Sequence, residues 1–283
     1  MRKSYNPVSA ENLIQVNEMQ IEQKVKGLKL YLFDMDGTLY LGDQLFDFTL
    51  RLLEKIRRSG AKYMFMTNNS SKSVQAYIEK LAKLGVFAQC EDFITSSQAT
   101  VYYLKKHHPG AKLYVCGTES LKSELRSEGY LVTDDVNTAE CIVMGFDTEL
   151  TFQKLHDVSY MLSTRQMPYI ATNPDYVCPM EFGSVPDCGS VCDMIYNATG
   201  KRPVVIGKPQ PLMPQLAMEL TGCAPNETAV IGDRIYTDIK CGLNAGTVTI
   251  LVMSGETTQK ILDDSKDKPD IVMKNAGELL DII

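Results

Sequence analysis

The chain predicts an α/β fold, a doubly wound parallel sheet with an inserted α/β cap domain. Three observations point there. Short apolar runs alternate with helix-period segments from end to end, the pattern of parallel strands joined by crossover helices. Acidic, hydroxyl and lysine residues recur where the apolar runs stop. About 140 residues separate two of those strand ends, Thr67 and Lys208, far more than the roughly 10–12 that a simple crossover needs.

From the N-terminus, residues 9 to 25 read as an amphipathic helix, since Leu13, Ile14, Ile21 and Val25 fall near one face among Glu, Asn and Gln. Strands are expected at "LKLYLFD", "AKYMFMTN", "AKLYVCG", "ECIVMGF", "PYIATN", "PVVIGK", "TAVIGD" and "TVTILVM". Helices are expected at 47–59, 72–84, 97–107, 151–166, 188–200, 211–221 and 235–245, the period changing from strand to helix between them. The excess between Thr67 and Lys208 has its own strand and helix alternation. We therefore divide the chain into an N-terminal extension (1–26), a core domain (27–98 and 201–283) and a cap (99–200).

Composition removes several function classes. With 283 residues, 44% hydrophobic and 23% charged, the chain is globular and fills one large domain or two ordinary ones. A net charge of -6 and the lack of a dense Lys/Arg run argue against a nucleic-acid partner. The start, "MRKSYNPVSAENLIQ", lacks the apolar core of a signal peptide, and no segment is long and apolar enough to span a bilayer. A cytoplasmic protein without a membrane partner is expected. The eight cysteines sit in segments such as "LYVCGT" and read as reduced core thiols. Cys178, Cys188 and Cys192 have no nearby His to complete a zinc site.

In an open parallel sheet the functional groups gather at the carboxyl ends of the strands. Here those ends carry Asp34 and Asp36, then Thr67 and Asn68, then Lys208, then Asp233 and Asp238. Singly, each has a bland account as an Asx turn, a helix cap, an exposed turn or a strand-to-helix junction. Together they would crowd carboxylates into one crevice, where like-charge repulsion calls for a cation. Hard oxygen ligands with open positions suit Mg2+.

The set Asp34-Met35-Asp36-Gly37-Thr38, Thr67, Gly207-Lys208-Pro209 and Gly232-Asp233 to Asp238 resembles the four motifs of the haloacid dehalogenase superfamily of phosphohydrolases. "DMDGTLYLGD", "TNNSS", "ATNPD" and "GDRIYTDI" look like its nitrophenylphosphatase-like and NagD-type subfamily, across residues 27 to 283. One departure is "QLFDFT" after Asp43, where the subfamily has a Pro-Gly-Ala-like helix entry; Asp47 is expected to cap that helix instead.

The resemblance implies a phosphatase for small-molecule phosphomonoesters that works through an aspartyl-phosphate. Asp34 would be the nucleophile and Asp36 the acid and base. Asp34, the Asp36 carbonyl and Asp233 would hold Mg2+. Thr67, Asn68 and Lys208 would bind the phosphoryl oxygens, with Asp238 supporting the metal or the lysine. Asn173 and Asp175 would read the substrate from the cap, and caps of this kind imply a homodimer. Arg234 is left open between a solvated charge and a substrate contact. A phosphomutase or other phosphotransferase is the alternative on the same core. A non-catalytic phospho-acceptor module is the second, and it would lack an acid two positions after the acceptor.

Overall fold

Four consecutive buried residues, Leu30–Phe33, make strand β1, and both faces of it are covered because helices pack on each side of the sheet. The structure, a computed structural model, describes residues 19, 21–180 and 182–283. Most of the expected N-terminal helix lies outside the described residues; within them, 21–26 are helical and Val25 and Leu28 pack into the core.

After β1 come a two-stranded flap, β2 (Tyr40–Leu41) and β3 (Gln44–Leu45), then β4 (Lys62–Thr67) and β5 (Phe93–Thr95). The chain next builds a second sheet from β6 (Leu113–Cys116), β7 (Cys141–Met144), β8 (Tyr169–Ala171) and β11 (Val204–Val205). A separate antiparallel hairpin, β9 (Val177–Met180) and β10 (Gly183–Pro186), interrupts that run. The first sheet is completed by β12 (Thr228–Gly232), β13 (Val248–Val252) and β14 (Ile271–Met273), in the order β14-β13-β12-β1-β4-β5. Strand pairing is parallel throughout both large sheets.

This order makes β1 the switch point, with the chain winding outward from it in both directions. Phe33 lies level with Phe65 on β4 and Ile231 on β12. Just beyond them, Asp34, Thr67 and Asp233 therefore emerge side by side at one edge.

The second sheet begins after the helix Ser96–His107 and ends at Val205, five residues past the boundary drawn at 200, because Val204 and Val205 pair with Ile170 and Ala171. Its strand ends meet the loop after β4. The Thr118 hydroxyl donates to the Ser71 carbonyl (3.2 Å), the Phe146 N–H donates to Ser70 Oγ (2.9 Å), and Ser70 Oγ lies 2.9 Å from Thr172 Oγ1. Asp47 does not cap the helix Thr49–Arg58: Phe48 holds that position without a side-chain acceptor. Anchoring comes instead from the Thr49 hydroxyl, which donates to the Leu39 carbonyl at 2.6 Å. All eight thiols are free, five of them buried, while Cys90 is exposed.

Candidate active site

Apolar strands end abruptly at this edge, and glycines let the turns after β1 and β13 close tightly. Gly37 sits at φ 79°, a conformation that side chains disfavour, and a Cβ there would lie 2.7 Å from Asp233 Oδ2. A Cβ on Gly255 would lie 2.0 Å from the same oxygen. Two glycines thus let backbone close around the Asp233 carboxylate. After Asp233 the chain makes a π-helical turn, Ile235–Ile239, which brings Asp238 back beneath the strand end. Such turns are frequent at functional sites because they re-aim one side chain.

Lys208 is the centre of the cluster. Its Nζ donates to Asp34 Oδ1 and Asp238 Oδ1, both at 2.6 Å, and to the Met66 carbonyl at 3.3 Å. Burial alone would lower the lysine, but Asp238 and Asp34 outweigh it and hold the ammonium well above its usual range. Asp34 is pushed up to about 7, by burial first and by Asp238 and Asp233 as well, against the pull of Lys208. Asp233 is pushed up to about 6 by burial, with Asp238 adding. One fixed cation among three carboxylates leaves negative charge uncompensated.

The remaining charge has a geometry. Carboxylate oxygens of Asp34, Asp233 and Asp238 lie within 4.8 Å of one another. Asp238 has both oxygens committed, one to Lys208 and one to the Arg234 N–H at 3.1 Å. Asp233 Oδ2 accepts from the Glu256 N–H at 2.6 Å, whereas Asp233 Oδ1 is buried with no partner among the described residues. A buried, unpaired carboxylate oxygen is costly. Its position beside Asp34 fits a divalent cation with oxygen ligands. Asp36, two residues on, is exposed, and its carboxylate makes no hydrogen bond among the described residues.

Thr67 is buried at the end of β4, and its hydroxyl oxygen accepts from the Asn69 N–H at 3.2 Å. Asn68 is a junction. Its Oδ1 accepts from the Lys208 N–H (2.8 Å), and its Nδ2 donates to the Lys208 carbonyl (3.0 Å) and to Asp175 (3.1 and 3.3 Å). Its own carbonyl accepts from Ser96 Oγ and Asn173 Nδ2. Asn173, expected to face the substrate, is instead fully buried with both ends spent on protein, because Oδ1 also accepts from the Asp175 N–H. Asp175 differs: it is partly exposed, and burial raises its carboxyl above the usual range.

Three further residues carry little signal in the sequence. Asp187 caps the helix Cys188–Thr199 and is pushed up to about 7 by burial. "PDCGS" marks a cap and nothing more. Arg234 pairs with Glu256 (2.8 Å), a partner 22 positions away that no local pattern links to it.

Known proteins resemble this chain over most of its length. Residues 31–131 match the haloacid dehalogenase-like hydrolase profile, and 205–279 match a second HAD-hydrolase-like profile. An acid sugar phosphatase of Staphylococcus saprophyticus is 31% identical over 257 residues, spanning 90% of this chain and 98% of its own. The chain belongs to the haloacid dehalogenase-like hydrolases. Among solved structures, the 4-nitrophenylphosphatase of Thermotoga maritima superposes with a TM-score of 0.87 at 38% identity, covering 91% of this chain and 98% of that one. A glycerol phosphate phosphatase of Mycobacterium tuberculosis, in complex with calcium, gives 0.84 at 26% identity, covering 90% and 76%. Within the family this hydrolase is a NagD-type, nitrophenylphosphatase-like phosphatase, a phosphoric monoester hydrolase. Among its described residues no helix is long and apolar enough to cross a membrane.

Proposed function

We propose that this phosphatase is Mg2+-dependent, acts on small-molecule phosphomonoesters, and transfers the phosphoryl group to Asp34 and then to water. The observation that carries the reading is the Lys208 bridge between Asp34 and Asp238, with the unpartnered Asp233 oxygen beside it. Asp34, Asp233 and the Asp36 carbonyl would hold the ion. When bound, it offsets phosphoryl charge so that an anionic nucleophile can approach.

An Asp34 oxygen attacks phosphorus, the bond to the ester oxygen breaks, and that oxygen leaves with a proton from Asp36. Asp36, now ionised, takes a proton from water as the hydroxide attacks phosphorus. Phosphate departs and the Asp34 carboxylate is restored. Lys208 fixes the Asp34 carboxylate and, with Thr67 and the Asn68 backbone, receives the phosphoryl oxygens. Asp36 suits proton transfer because it is exposed and untethered. The second sheet, with the hairpin and helices around it, serves as the cap that excludes water. Exposed Tyr176, Val177, Met180 and Phe182 on and beside the hairpin offer an apolar surface on which two caps would pair.

The deciding experiment uses Asp36→Asn and rapid quench. A nitrophenolate leaves without a proton and an alkoxide does not. Nitrophenyl phosphate should give a burst of up to one nitrophenol per site, with phosphate trapped on Asp34, followed by a slow steady rate. A sugar phosphate should give no burst. Equal slowing of both first steps, with no trapped phosphate, would leave Asp36 as a structural or metal-binding residue.

A further inference from the structure

Two thiols stand together in the cap, away from the carboxylates of the crevice. Cys188 and Cys192 lie four residues apart on the helix Cys188–Thr199, so their side chains share a face, and their sulfurs are 4.0 Å apart. Cys188 is wholly buried and Cys192 is 5% exposed. The Cys188 thiol donates to the Cys192 sulfur, which holds Cys192 below its usual range and Cys188 above it. Tyr169, on β8, belongs to the same buried cluster. It is only 6% exposed, and its hydroxyl has no hydrogen-bond partner among the described residues. That hydroxyl lies beside the Cys192 sulfur. A thiol is a weak acceptor and leaves the phenol unsatisfied, whereas an ionised sulfur is a strong one. A bound cation is what keeps a thiolate in an apolar interior.

We propose that Cys188 and Cys192 bind one soft, low-coordinate metal ion of the Cu(I) class, with the Tyr169 hydroxyl donating to the Cys192 thiolate from outside the ligand set. Two metal–sulfur bonds of about 2.3 Å span ~4.6 Å in a straight line, so the sulfurs need part by only a fraction of an ångström. Binding forms those two bonds and releases both thiol protons, with no change of oxidation state. The complex carries one negative charge at the first turn of a helix, where the dipole favours it. Structural zinc takes four ligands, and among the described residues no third Cys, His, Asp or Glu atom joins the pair. A disulfide fits less well. It needs Cβ atoms within about 4.5 Å, while positions i and i+4 of a helix stand at ~5–6 Å. Unwinding the turn to close that gap is opposed by its anchors: the Gly189 N–H donates to the Asp175 carbonyl (2.8 Å), Ser190 Oγ donates to the Tyr176 carbonyl (2.6 Å), and a Cβ on Gly189 would lie 2.1 Å from the Pro174 carbonyl oxygen. Soft sulfur donors here and hard oxygen donors around Asp34 select different metals.

The test is anaerobic competition for Cu(I) against a chromophoric chelator, on the full chain with Mg2+ present. Wild type should withdraw one equivalent. Cys188→Ala and Cys192→Ala should each weaken binding about 100-fold or more, and the double variant should be no weaker than either single, because one ion needs both sulfurs. Tyr169→Phe should cost about 10–100-fold, the scale of a lost outer partner. Cys141→Ala, a buried thiol on β7, should change nothing. Circular dichroism checks that each variant is folded. X-ray absorption on wild type with one equivalent of Cu(I), which needs no variant, should show two sulfur neighbours and no oxygen or nitrogen. Additive losses in the two single variants, or an equal loss in Cys141→Ala, would spread Cu(I) over independent thiols and overturn the proposal. So would oxygen or nitrogen ligands in the absorption spectrum. Failure of wild type to outcompete the double variant, with the pair instead closing to a disulfide under mild peroxide, would make it a redox couple and overturn the proposal as well.

Discussion

Asn68 shows how much of one side chain's environment lies beyond the reach of its local sequence. "TNNSS" marks a strand end with capping chemistry, and the resemblance assigns the Asn68 backbone to the phosphoryl group. Nothing local shows that its amide holds both backbone groups of Lys208 and the Asp175 carboxylate, 140 and 107 positions away. Those partners come from tertiary contact alone. Glu124 is a second residue whose character depends on burial. On the helix Glu119–Ser127 it is pushed up to about 7, by burial first and by Glu128 as well. Its folded value lies above its unfolded one, so the folded state binds the extra proton between about pH 4.5 and 7. Stability is therefore lost as pH rises through that window and is flat above it. Glu124→Gln should remove the loss, and denaturant melts should show a gain of up to about 2 kcal/mol at pH 8 and almost none at pH 4. A gain of equal size at both pH values would assign the effect to packing.

Elements were legible where their periodicity was strong and lost where it was not. The eight strands read from sequence are all observed, because each is a dense apolar run. The helix Glu119–Ser127 escaped since only Leu121 and Leu125 mark its buried stripe among charged neighbours. The hairpin β9–β10 escaped for the opposite reason. None of its strand residues is fully buried, so no alternation appears, and Pro179 and Pro186 argue against a strand. β5 and β14, at three residues each, are too short for any period. The site itself depends on how closely three loops pack, those after β4, β8 and β11. Gly207 is their contact point: a Cβ there would lie 2.6 Å from both Asn68 Oδ1 and the Thr172 carbonyl. Gly207→Ala should push the Lys208 loop off Asn68 and reduce kcat about 100-fold, the scale of an ångström-sized misplacement. The stability cost should stay near the ~1–3 kcal/mol typical of overpacking. Near-normal kcat would mean that Lys208 finds Asp34 without the Asn68 clasp.

At the scale of the whole molecule, an inserted cap invites the expectation of two independently folding units, and the packing argues otherwise. One face of the core sheet, with Leu30, Leu32, Met64, Met66 and Val230, belongs to the same buried cluster as Leu113, Val115, Cys141, Val143 and Ile170 of the second sheet. Ala99, Val101 and Leu104, on the helix Ser96–His107, join them. Polar contacts between the loop after β4 and the ends of β6, β7 and β8 close the same seam. Separating the domains would expose that shared surface and strand the buried hydroxyls and amides along it. Neither domain can open far without incurring both penalties, so the two should unfold as one cooperative unit. Calorimetry should show a single transition whose calorimetric and van't Hoff enthalpies agree. Leu104 is fully buried where the two sheets meet. Leu104→Ala should cost about 2–5 kcal/mol, the usual range for a core leucine, and lower that one transition as a whole. If the variant instead resolves two transitions, with only one of them shifted, core and cap are separate folding units and their seam is a docked interface.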